Sequence, residues 1–60
     1  MLPRVGEGMR TRALAVRVRA LTGVRLYDCI LAVEQTPEGL PDEERIRQAV
    51  DYLRRTMRLT

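Results

Sequence analysis

The chain has 60 residues, one cysteine, no histidine, and eleven arginines without a lysine against eight acids, for a net charge of +3. An internal disulfide and the usual cysteine–histidine zinc site are thereby excluded. What remains is one small domain that buries only about 60% of the surface its unfolded form would expose, held by apolar packing, helix caps or association.

The arginine-only basic set has two readings, compositional bias or heat adaptation on one side and a surface that meets carboxylate or phosphate on the other. Interleaved acids break up the field, so +3 is a weak footprint for nucleic acid. No apolar run nears the roughly 20 residues of a membrane span, and Arg17 and Arg19 interrupt the stretch from Ala13 to Leu21. Neither a membrane partner nor a signal peptide is expected, and a cytoplasmic location is the default.

Residues 1–9 hold Pro3, Gly6 and Gly8 and show no period, which predicts a flexible N-terminal tail ahead of a domain over 10–60. Arg10 to Leu21 reads as a helix, with Leu14, Ala15, Val18 and Leu21 on one face as the core stripe. Ala13, Val16 and Ala20 fall on the opposite side, flanked by Arg10 and Arg17 on one edge and Arg12 and Arg19 on the other. They are either good surface helix formers or a shallow patch for a partner or for self-association. Thr22-Gly23 ends the helix, with Gly23 where a residue of positive φ belongs.

Leu26 to Gln35 reads as a second helix with Leu26, Cys29, Ile30 and Val33 on its apolar face and Ala32 at the edge. Asp28 suits the positive end of its dipole. Cys29 reads as a small hydrophobe, because a nucleophile would need an activating base that the chain lacks. Tyr27 and Leu31 point away from the stripe, to be covered by another element or offered to a partner. Pro37, Gly39 and Pro41 make a turn-rich connection in which Leu40 is a candidate anchor.

Asp42 to Met57 is the clearest helix. Acids crowd its first turn and Arg54, Arg55 and Arg58 its last, both in keeping with the dipole. Ile46, Ala49, Val50, Leu53 and Met57 form its core stripe, and Arg47, Arg54 and Arg58 a separate basic edge. Three short helices predict an all-α fold, a compact three-helix bundle. Serine is absent and no threonine has a base beside it, so a non-enzyme without catalytic residues, cofactor or metal is expected.

Val18-Arg19-Ala20-Leu21-Thr22-Gly23-Val24-Arg25-Leu26-Tyr27-Asp28-Cys29, followed by Ala32-Val33 and later by Ile46-Arg47-Gln48-Ala49-Val50-Asp51-Tyr52-Leu53-Arg54, resembles the N-terminal domain of bacterial translation elongation factor Ts. That domain has the ubiquitin-associated (UBA-like) three-helix fold, and the resemblance covers residues 14–55. Departures are Arg25 at the family's second glycine, Ile30 and Leu31 at a lysine pair, Val33 at a leucine, and a longer second connection. The resemblance implies a UBA-like fold and docking on the GTPase domain of elongation factor Tu. It implies no nucleotide exchange, since it does not reach the family's exchange core. Ubiquitin is not an expected partner, because the usual residues around the glycine are missing.

The leading expectation is a protein–protein interaction module that uses Gly23, Val24, Leu26, Tyr27, Leu53 and Arg54. The alternative is a basic nucleic-acid- or ribosome-binding protein using Arg10, Arg12, Arg17, Arg19, Arg47, Arg54 and Arg58. A third is self-association through Ala13, Val16 and Ala20.

Overall fold

In the computed structural model, residues 5–57 are described, with side chains from Met9 onward, and they form three α-helices. These are α1 (Val5–Thr22), α2 (Leu26–Glu34) and α3 (Asp42–Met57), each packed against the other two. The described residues hold no strand. The all-α three-helix bundle expected from the periodicity is the observed fold.

The first helix starts at Val5 instead of Arg10, so residues 5–9 of the expected tail are helical; residues 1–4 lie outside the described part. Gly6 and Gly8 each cost roughly 1 kcal/mol against alanine in a helix. Extending an existing helix nonetheless adds one hydrogen bond per residue without a new nucleus.

The joint between α1 and α2 follows from Gly23. Its φ is +75°, and its N–H donates to the Arg19 carbonyl at 2.8 Å, the single bond of a left-handed helix stop. Thr22 adds a second lock: its hydroxyl donates to the Val18 carbonyl at 2.9 Å and accepts from the Val24 N–H at 3.2 Å. The Cys29 thiol then donates to the Val24 carbonyl at 3.4 Å, tying the start of α2 to the turn. At the head of α2, Arg25 occupies the cap position without a side-chain cap bond, and its Nε instead donates to Asp28 at 3.1 Å.

The core is Leu14, Ala15 and Val18 of α1, Val24 of the joint, Cys29, Ala32 and Val33 of α2, and Ile46, Ala49 and Leu53 of α3. Leu26, Ile30 and Val50 pack against it from its margin. It is aliphatic and small-residue-rich throughout, with Ala32 fully enclosed instead of at an edge. Two expected core residues are outside it: Leu21 is 65% exposed and Met57 43% exposed. Leu21 sits at the rim of its stripe in the last turn of α1, on the α3 side. Met57 sits in the last turn of a 16-residue helix that outruns the nine-residue α2.

One charged side chain is part of the interior. Arg45, 4% exposed, donates from Nε to the Thr36 hydroxyl at 2.9 Å and from Nη2 to the Val33 carbonyl at 3.3 Å. The last turn of α2 carries no basic residue of its own, so α3 supplies the positive group that faces the negative end of the α2 dipole. Thr36, itself buried, donates to the same Val33 carbonyl.

On the other flank, the acids that open α3 clamp α1. Arg10 pairs with Asp42, its Nε 2.9 Å from Oδ1, and Arg17 pairs with Glu43 at 2.6 Å. These acids therefore serve the helix dipole and the helix–helix contact together.

Candidate protein-binding surface

The residues expected to bind a partner separate into two groups. Val24 is 8% exposed and Leu53 2%, so both are core residues and neither is available as a surface contact. Val24 is drawn inward because its carbonyl receives the Cys29 thiol and its N–H is held by Thr22. Leu53 continues the inward line of Ile46 and Ala49. Gly23, Tyr27 and Arg54 are exposed, Tyr27 at 68%, and Leu26 is half-buried.

Leu21, assigned to the core by its spacing, is instead the apolar lip of an open groove of about 620 Å³ between the end of α1 and the outer side of α3. Ile46 and Val50 lie along the groove, and Arg47, Arg54, Glu43, Glu44 and Asp51 border it. Ile46 is 4% exposed and Val50 is half-buried, so they present a limited apolar floor beside the protruding leucine. The groove lies next to the Gly23 turn, because Leu21 is two residues before it, and it includes Arg54 near the end of α3. The groove thus adjoins the region between the first joint and the end of α3 that the sequence singled out, with Leu21 in place of Val24 and Leu53 as its exposed apolar residue.

The candidate nucleic-acid arginines do not act as one free patch. Arg10 and Arg17 are held by Asp42 and Glu43, and Arg47 lies 3.9 Å from Glu44. Arg12, Arg19 and Arg54 are exposed and belong to no ion pair among the described residues. Arg58 lies outside the described residues. Arg45, buried though charged, stands four positions before Ala49 and eight before Leu53, at the edge of the core stripe. That spacing is the signal that it points inward.

Cys29 is fully buried, and burial raises its pKa above the ordinary thiol value of 9.0. The Thr22 hydroxyl opposes this in part, and the nearby charges add smaller effects, Asp28 upward and Arg19 downward. At neutral pH it is a thiol that donates to a backbone carbonyl, without thiolate character. Among the described residues no three His, Cys, Asp or Glu side chains are gathered as a metal site, and no helix is long and apolar enough to cross a membrane.

No family model matches the chain, and no curated protein or solved structure matches it.

Proposed function

We propose that the chain is a small, non-catalytic protein–protein interaction module of the UBA-like kind, cytoplasmic, whose partner seats in the groove beside the Gly23 joint. The observation that carries this reading is Leu21: a leucine 65% exposed at the lip of a concavity, with Ile46 and Val50 along its floor. A few apolar anchors of this kind supply most of the affinity of a typical interface, and the bordering Arg54, in no ion pair among the described residues, steers the encounter. Gly23 and Tyr27 extend the contact along the joint.

The resemblance of Thr22 to Cys29 to elongation factor Ts makes a translation GTPase of the elongation factor Tu type the first partner to test. Amide shifts of the labelled chain during titration with that GTPase provide the test. The proposal expects shifts at Leu21, Gly23, Tyr27, Val50 and Arg54. Shifts absent from all five positions at saturating GTPase remove this partner.

A further inference from the structure

The outer side of α1 carries a second apolar line that the bundle does not use. Because the helix begins at Val5, Met9 joins Ala13, Val16 and Ala20 on that side, at spacings of four, three and four residues. All four are exposed, Met9 at 67% and Val16 at 52%. The line spans about 16 Å of helix, and alternating steps of three and four are the spacing with which one helix meets another along a seam. Rows of arginine flank it: Arg10 and Arg17 on one edge, Arg12 and Arg19 on the other.

We propose that this face docks an amphipathic helix of a second protein, one whose apolar line is bordered by Asp and Glu. The charges choose the occupant. In an antiparallel pair of α1 helices the unpaired Arg12 and Arg19 edge would face itself. In a parallel pair it would meet the Arg10 and Arg17 edge, whose charge Asp42 and Glu43 only offset, so a second copy complements it less well than an acidic helix. An acidic helix meets opposite charge instead, and the two edges are unequal. Asp42 and Glu43 of α3 already hold Arg10 and Arg17. Arg12 and Arg19 belong to no ion pair among the described residues, so the electrostatic attraction falls on their edge. The inference rests on the interaction-module reading but uses a different surface from the Leu21 groove, and the two fail separately.

The test uses the full labelled chain and two designed peptides of three heptads. Both have Leu and Ala in the apolar line; one has Glu and the other Lys in the flanking rows. The Glu peptide is expected to shift the amides of Met9, Ala13, Val16 and Ala20 and to bind at least tenfold more tightly than the Lys peptide at low salt. The double variant Arg12→Glu, Arg19→Glu is expected to lose at least tenfold for the Glu peptide, and Val16→Glu to lose binding, both with unchanged thermal unfolding. Equal affinity for the two peptides, binding to neither, or shifts confined to Leu21 and Val50 would overturn the proposal. So would a sedimenting dimer that Val16→Glu disperses, or a single-stranded RNA oligonucleotide that shifts the same amides more strongly than the Glu peptide.

Discussion

Arg45 shows how a single side chain holds two helices in register. Its guanidinium satisfies the Val33 carbonyl and the Thr36 hydroxyl at the end of α2 while its backbone belongs to α3. Replacing it with methionine keeps the apolar stem and removes the donors. The loss expected in urea unfolding is about 1–3 kcal/mol, the cost of a buried acceptor left with fewer partners. Gly23 makes the complementary case. A Cβ there would meet nothing within 4 Å, so Gly23→Ala is resisted only by the φ of +75°. The expected cost is about 1–2 kcal/mol, and asparagine at the same position should lose less, as the same unfolding measurement will show. Cys29 adds a pH dependence. Its folded pKa is raised, so below 9.0 the thiol is neutral in both states and contributes none. Above that value the unfolded chain ionises first, the unfolded state binds fewer protons, and stability falls with rising pH. Denaturant midpoints of the wild type should therefore decline more steeply above pH 9 than those of Cys29→Ala.

At the scale of the element, α1 has two apolar sides, and the bundle uses one. The inward line Leu14, Ala15 and Val18 was legible from spacing, as was the outward line of Ala13, Val16 and Ala20. The helix stop at Gly23 was equally legible, since few residues accept its backbone conformation. Leu21 and Met57 were misread for one reason. Periodicity tells which side of a helix a residue occupies, not whether a neighbouring helix covers that turn, and both residues lie in last turns. Val24 and Leu53 were read as contacts because the resemblance put them near a binding region; the spacing of Leu53 had also placed it in the core stripe, where it lies, and local hydrogen bonds turn Val24 inward. Arg45 was hidden by its charge, although its spacing to Ala49 and Leu53 is that of a core residue. Leu53→Ala should accordingly cost about 2–5 kcal/mol in unfolding, the range for a buried leucine, where a surface contact would cost almost nothing.

For the whole molecule, a core without phenylalanine or tryptophan in a chain of this length leaves little margin, so surface ion pairs are noticed. The Arg10–Asp42 and Arg17–Glu43 pairs are solvent-exposed and each is worth about 1 kcal/mol or less. Asp42→Asn with Glu43→Gln should lower the melting temperature at low salt, and the difference from wild type should shrink as salt screens the pairs. Beside the exposed Tyr27 and Met57, the Leu21 groove lip and the outer face of α1 are apolar surfaces that the described bundle leaves uncovered. The proposed function requires that a partner cover Leu21, which the described bundle leaves exposed. The direct measurement is a binding isotherm of an elongation factor Tu-type GTPase with wild type and Leu21→Asp, with thermal unfolding followed in parallel. The account predicts at least a tenfold loss of affinity, with stability within about 0.5 kcal/mol of wild type. A variant that unfolds early, or one that binds as tightly as wild type, would contradict it.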